Sequence, residues 1–294
     1  MEKHIFKFGN TSMALVLPKS WVDKNGLKNS DSVFVRENSK GELVLGTERM
    51  EKSPFVKSID KSTDPDILAR FVGLYYMRGV GKLTIHARDG ITDKQVLAIQ
   101  EKINNECPGF EIISQSSNQV VIEDFTNIKE IDLDKLISRL RSLVMQEFDE
   151  VIHHNTETVA RLEEMVDRFY KLGIRYISLV QPSDTLKYYR TVIIIEDIAD
   201  DLHLISEKLD KNQNALVKEL KVMFEMSEKG FNGDQRAILE LAIKKKRLRA
   251  PLRNAKLDDV YKRVMNHIGT CCNRIAEFGL LEEDPRLAID KQLM

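Results

Sequence analysis

Four carboxylates stand at helical spacing within residues 191–207, whose sequence is TVIIIEDIADDLHLISE. Glu196 and Asp200 are four positions apart, and Asp197 and Asp201 repeat that spacing one position later. Residues four apart lie over one another on one face of an α-helix, so each pair brings two like charges together. A bound cation would compensate, because hard divalent metals, and iron in carboxylate sites, take oxygen ligands. The alternative is a solvated polar stripe on a surface helix.

Length and composition limit the classes of protein to consider. A chain of 294 residues with 42% hydrophobic and 31% charged residues predicts about two domains with highly charged surfaces. The net charge of -1 gives no overall attraction to nucleic acid, so any such binding needs a local basic patch. The three cysteines lack CxxC spacing, which argues against a disulfide framework or a zinc site. The sequence shows neither the apolar run of a signal peptide nor a membrane span, which predicts a cytoplasmic protein without membrane insertion.

The first 47 residues have strand character. HIFKFG and MALVLP are short apolar segments, SWVDKNGL predicts a short helix with Ser20 as its N-cap, and SVFVRE and ELVLG alternate around a turn at residues 39–41. Four short strands in under 50 residues bury little apolar surface. This segment therefore predicts association with a second chain.

The middle of the chain predicts a small α+β unit. Residues 47–66 are charged and irregular, which indicates a linker. A helix, a strand, a helix capped by Thr92 and two further strands follow in residues 64–125. His86 and Cys107 lie within this unit, and we interpret both as packing or surface residues.

From Ile131 onward the pattern is helical. Amphipathic runs cover residues 132–153, 156–181, 184–209, 211–229, 234–249 and 256–278, with breaks that include Pro251. The short connections predict antiparallel neighbours. The six helices fall into two sets of three that look like divergent copies of one unit.

This helical region resembles the PhoU family of phosphate-uptake regulators, whose domain is a pair of three-helix repeats. The resemblance rests on the stretch Ile195 to His203, on Gln181-Pro182 before it, and on Val166 to Tyr170 with Ile174-Arg175 in the preceding helix. It covers roughly residues 131–280. Family members bind multinuclear metal clusters through acidic E/D-x-x-x-D motifs. The resemblance implies a site for a divalent metal or iron in the first repeat, formed by Glu163, Asp167, Glu196 and Asp200.

The second repeat departs from the family pattern. Asn266 and Thr270 stand where the acidic pair is expected, and the preceding helix carries Lys244, Lys245, Lys246 and Arg247 instead of acids. We therefore expect a metal in the first repeat only. The basic run could meet phosphate, DNA or an acidic partner, although cations at the C-terminus of a helix are also favoured by its dipole.

The N-terminal segment resembles the SpoVT/AbrB family, in which two chains interlace their strands as a swapped-hairpin dimer. The resemblance rests on Gly9 to Ser12, on Leu15 to Trp21 with its Leu-Pro-Lys-x-Trp signal, on Gly26-Leu27, and on Asp31 to Val33. Ser30 replaces a usual glycine. The family implies DNA contacts by a basic face, and the candidate residues are Lys3, Lys7, Lys19, Lys24 and Lys28. Residues 1–50 hold eight basic and six acidic side chains, a net of +2, and Ala14, Val22 and Asp23 stand where DNA-binding members tend to have arginine.

The combination of the two resembles archaeal phosphate-uptake regulators. It implies a multi-domain α+β fold: a swapped-hairpin β domain at residues 1–48, an α+β connector at 64–125, and an all-α bundle of two three-helix repeats at 131–280. The expected function is a homodimeric, DNA-binding regulator of phosphate uptake. The alternative is a regulator that binds a phosphate transporter or a sensor kinase and never contacts DNA.

Catalysis is not expected. His153 and His154 follow Asp149 and Glu150, but adjacent residues point to different faces of a helix and do not readily share one ligand. No nucleophile elbow, phosphate-binding glycine loop or HExxH motif occurs in the sequence. A metal-dependent hydrolase remains a third hypothesis, resting on the same carboxylates as the metal site.

Overall fold

A computed structural model describes residues 4–9, 12–29, 31–37, 43–46, 54–182 and 184–282. The chain divides into two compact units, Met1–Glu51 and Lys52–Met294. Together they form a mixed α+β protein with small sheets and a C-terminal helical region, which confirms the fold class at that level.

The described part of the N-terminal unit contains two hairpins and one short helix. Strand β1 (Ile5–Phe8) pairs antiparallel with β2 (Ser12–Leu15), and β3 (Phe34–Glu37) pairs antiparallel with β4 (Leu43–Gly46). Helix α1 (Lys19–Lys24) lies between the hairpins in sequence. Its N-cap is Pro18, so the predicted cap at Ser20 is wrong, and Gly26 follows the helix with a φ of 64°.

The second unit begins with a four-stranded sheet and two helices. The elements are β5 (Pro54–Ile59), α2 (Pro65–Met77), β6 (Lys82–Ala87), α3 (Asp93–Glu106), β7 (Phe110–Gln115) and β8 (Gln119–Asp124). The strand order is β5-β6-β8-β7, and only the β5–β6 pair is parallel. A capping box between Thr92 and Gln95 begins α3, as the sequence predicts. Leu68, Val72, Ile85 and Ile122 are among the side chains that form the core between sheet and helices.

Strand β5 corrects the prediction of an irregular linker at residues 47–66. The strand lies at the edge of the sheet, where Phe55, Lys57 and Ile59 are partly covered and Val56 is 62% exposed. Because only one face of this six-residue strand is covered, the alternation of apolar and polar residues in its sequence is weak. The charged residues on both sides obscure it further.

Six α-helices then form the bundle. They are α4 (Leu133–His153), α5 (Thr156–Val180), α6 (Thr185–Ser206), α7 (Asn214–Phe231), α8 (Gln235–Asn254) and α9 (Asp259–Glu277). The apolar faces of all six contribute to one core, and α5 also packs on α2 and α3. No helix in the described ranges is both long and apolar enough to cross a lipid bilayer.

Helix α8 continues through Pro251, which was predicted to end it. Proline removes one backbone hydrogen bond from a helix interior. Leu248 and Leu252 flank it, and both are buried in the core of the bundle. Packing of that face therefore outweighs the local preference of proline to break the helix.

Candidate carboxylate site in the helical bundle

The structure places Glu163, Asp167, Glu196 and Asp200 on the adjacent helices α5 and α6. Glu163 experiences the charges of Asp167 and Asp200, and Glu196 experiences those of Asp200 and Asp167. The two acidic pairs found in the sequence therefore share one electrostatic environment.

Burial and carboxylate repulsion raise the pKa values of Glu163, Glu196 and Asp200. Burial, followed by repulsion from Asp200 and Asp167, raises the pKa of Glu196 from 4.5 to about 8. Burial and the charges of Asp167 and Asp200 raise the pKa of Glu163 to about 7. Burial also raises the pKa of Asp200. At neutral pH the cluster therefore holds protons that isolated carboxylates would release.

A fifth carboxylate, Glu147 of α4, is a member that the sequence analysis missed. Its side chain is 0% exposed, and neither carboxylate oxygen has a hydrogen-bond partner within the part of the chain that the structure describes. Burial, then the charges of Glu163 and Asp200, raises its pKa well above 4.5. The position of Glu147 in the sequence could have revealed its burial. Leu140, Val144 and Val151 are buried on the same face of α4, so helical periodicity places Glu147 among core residues.

Lys171 of α5 supplies positive charge to this cluster. Its buried Nζ lies 2.6 Å from Asp167 Oδ2 and 2.6 Å from Glu106 Oε2 at the end of α3. Burial opposes the ammonium charge, but hydrogen bonds to Asp167 and Glu106 raise the pKa of Lys171. Hydrogen bonds from Lys102 and Lys171 likewise lower the pKa of Glu106 against the effect of burial. Asp167, a predicted metal ligand, is thus paired with a lysine that also joins the bundle to helix α3 beside the four-stranded sheet.

Asp197 and Asp201 lie one position around α6 from the first pair. Asp201 Oδ2 lies 2.7 Å from Nδ1 of His267 on α9, and Cys271 Sγ lies 3.6 Å from Nε2 of the same ring. Burial raises the pKa of the Cys271 thiol to about 12, so it is a thiol and not a reactive thiolate at neutral pH.

The ligand geometry is not preformed. Within the described ranges, no group of three or more His, Cys, Asp or Glu side chains is arranged to hold a metal ion. Oxygen donors suit hard cations, and no described residue makes a hydrogen bond to the buried Glu147 carboxylate, so the donor chemistry of the cluster fits such an ion. Binding would require the carboxylates to lose protons and converge.

Four of the five candidate DNA-binding lysines lie on the surface of the N-terminal unit. Lys7 is exposed on β1, and Lys19 and Lys24 are exposed at the two ends of α1. Lys28 is also exposed, and Lys3 lies outside the described residues.

Comparison of the chain with protein-family models, curated proteins and solved structures found no match. Function must therefore be argued from the chain's own residues.

Proposed function

We propose that this protein is a cytoplasmic, homodimeric regulator of phosphate uptake that binds DNA through its N-terminal unit and responds to a cation in its helical bundle. The observation that carries the proposal is the exposure of apolar side chains in the N-terminal unit. Among the residues of that unit that the structure describes, nine large apolar side chains are between 41% and 72% exposed: Ile5, Phe6, Phe8, Met13, Leu15, Val16, Phe34, Val35 and Leu43.

This exposure supports association of two chains. Between residues 4 and 46, every residue whose exposure the structure describes is exposed or half-buried. Two-stranded sheets are at best marginally stable alone. A second copy that interlaces its hairpins with these, as in the SpoVT/AbrB-type dimer that the sequence resembles, would supply the missing half of a core. The hydrophobic surface therefore favours a partner chain over a self-sufficient domain.

DNA is the proposed ligand of the dimer's basic face. Lys7, Lys19 and Lys24 are exposed, and a dimer presents each of them twice. Lysine contacts to phosphates supply affinity without sequence specificity, so this binding should weaken as salt rises. The link to phosphate uptake rests on the sequence resemblance to PhoU-like regulators.

A divalent cation or iron is the proposed signal at the carboxylate cluster. Glu163, Glu196 and Asp200 would provide oxygen ligands, and Glu147 would provide a buried one. When bound, the ion supplies positive charge that replaces the protons of the cluster. We propose that occupancy changes the spacing of the two N-terminal units and so their fit to DNA.

The dimer is tested by size-exclusion chromatography with light scattering. We expect a dimer in the full-length protein and dissociation or loss of order of the N-terminal unit in Phe8→Asp. A monomer with a folded N-terminal unit would contradict the proposal.

DNA binding is tested by gel shift with the gene's own upstream region at several salt concentrations. We expect a shift that fades with salt and is lost in Lys7→Glu/Lys19→Glu. Lys208→Glu/Lys218→Glu is the matched control, because both lysines are exposed in residues 54–282 and the change in charge is the same. A gel shift that does not change when metal is added would contradict the proposed coupling of cation occupancy to DNA binding, but not DNA binding itself.

A second candidate is a regulator that binds a phosphate transporter or a sensor kinase and never contacts DNA. The small net charge of +2 in residues 1–50 favours it, because DNA-binding modules usually carry a stronger basic patch. Absence of any gel shift at low salt, together with a stable dimer, would support this candidate.

A further inference from the structure

An open pocket of about 440 Å³ lies where the C-terminal end of α8 meets the start of α9. Four of the side chains that line it are basic: Arg249, Arg253, Lys262 and Arg263. Asp259 is the one carboxylate of the lining, and its Oδ1 lies 3.3 Å from Lys262 Nζ. The lining therefore carries a net charge of +3.

The core of the bundle holds these basic residues in place. Arg249 and Arg253 are four positions apart on α8, and Leu252 between them is buried. Lys262 and Arg263 lie on the first turns of α9, and Met265 just beyond them is fully buried. Two packed helices thus present guanidinium and ammonium groups to one concave surface.

The helix dipole explains only half of this arrangement. Cations near the C-terminus of α8 interact favourably with its negative end, which accounts for Arg249 and Arg253. Near the start of α9 the dipole favours acids, so it gives no reason for Lys262 and Arg263. Like charges brought together from two helices repel each other, and a bound anion would relieve that repulsion.

We propose that this pocket binds a non-aromatic anion with several phosphate groups, a linear oligophosphate. Arginine pairs with phosphate through two parallel hydrogen bonds, and three arginines can engage more than one phosphate. The volume lies in the range of small-molecule sites and far exceeds the space of a single small ion. None of the described residues that line the pocket is aromatic, so it offers no stacking surface for a nucleobase.

The pocket is independent of the carboxylate cluster and of the function proposed above. The described residues that line it all lie on α8 and α9, whereas Glu147, Glu163 and Glu196 lie on α4, α5 and α6. The first set of three helices therefore carries the acidic cluster, and the second carries a basic pocket.

Isothermal titration of the full-length protein with tripolyphosphate, at fixed ionic strength, tests the proposal. We expect saturable binding of one tripolyphosphate per chain. Arg249→Gln/Arg253→Gln should weaken it roughly tenfold or more, because charge-assisted hydrogen bonds are lost. Arg263→Gln, which removes a charge that α9 contributes to the pocket, should also weaken binding of tripolyphosphate.

The matched control is Lys229→Gln/Arg236→Gln, which removes two exposed charges at the end of α7 and the start of α8, away from the pocket. It should change the dissociation constant by no more than about twofold, since exposed charges at a distance are largely screened. Circular dichroism of each variant separates loss of binding from loss of folding.

Several outcomes would overturn the proposal. Absence of saturable binding, or equal weakening by the control pair, would show that no built site exists. Orthophosphate bound as tightly as tripolyphosphate would exclude an oligophosphate, and ATP bound roughly tenfold tighter would indicate recognition of the base. Displacement of tripolyphosphate by duplex DNA at lower concentration would assign the pocket to nucleic acid instead.

Discussion

At the scale of single residues, Glu147 shows how a polar group can be placed against its own solvation preference. Burial of a carboxylate without a hydrogen bond is unfavourable, and the group responds by keeping its proton. The sequence contains the clue, because Glu147 falls on the apolar stripe of its helix. The sequence does not show which charges help to raise the pKa of Glu147, because its neighbours Glu163 and Asp200 come from two other helices.

We expect Glu147→Gln to stabilise the chelator-treated protein at pH 7.5 by about 1–3 kcal/mol, because the amide needs no proton to remain neutral in the core. Urea denaturation followed by circular dichroism measures the free energy of unfolding. Glu240→Gln, at an exposed position of α8, is the control and should change it by less than about 0.5 kcal/mol. A destabilised Glu147→Gln protein would indicate that the carboxylate has a ligand.

At the scale of elements, one arginine joins the bundle to the α+β layer. Arg175 of α5 donates hydrogen bonds to the backbone oxygens of Tyr76 and Val80 and to the carboxylate of Asp124 at the end of β8. Both charged side chains are 0% exposed, and the guanidinium also lies 4.7 Å from the Tyr76 ring. The sequence resemblance noted Ile174-Arg175 as a family feature, but the partners of Arg175 lie up to 99 positions away and only the structure shows them.

We expect Arg175→Gln to destabilise the second unit by about 3–5 kcal/mol, because it leaves the Asp124 charge in the interior without its guanidinium. The double variant Arg175→Met/Asp124→Asn should recover part of that loss, since neither charge remains. Urea denaturation of both variants measures the difference. If the double variant is as unstable as Arg175→Gln, the arginine acts through its bonds to Tyr76 and Val80 and not through the ion pair.

Long helices could be predicted from the sequence, and short or tertiary features could not. The apolar period runs through about 20 residues in each of α4 to α9, and their predicted ends are close to the observed ones except at the C-terminal end of α8, which continues through Pro251. The breaks predicted after α4 and α5 follow His154 and Gln181, which both adopt left-handed backbone conformations. The apolar alternation of strand β5 was too weak to predict a strand. The ion pair of Lys171 with Glu106 joins residues far apart in the sequence, so no local pattern predicts it.

At the scale of the whole molecule, the unfolding free energy should depend on pH through the carboxylate cluster. Folding raises the pKa of Glu163 from 4.5 to about 7 and that of Glu196 from 4.5 to about 8. At these two groups the folded protein binds more protons than the unfolded chain between pH 4.5 and 8, so their contribution to stability falls as pH rises through that window.

We expect chelator-treated protein to lose about 1–2 kcal/mol of unfolding free energy between pH 5.5 and pH 8, a value reduced for partial exposure of both groups. Mn²⁺ should restore stability at pH 8 but have little effect at pH 5.5, where protons occupy the carboxylates. Urea denaturation at both pH values, with and without Mn²⁺, measures this. Glu163→Gln/Glu196→Gln should show a smaller fall with pH and a smaller response to Mn²⁺. Stability that rises over this interval in the absence of metal would mean that the carboxylates are ionised and stabilised by Lys171 alone, and the bundle would then have no need of a bound cation.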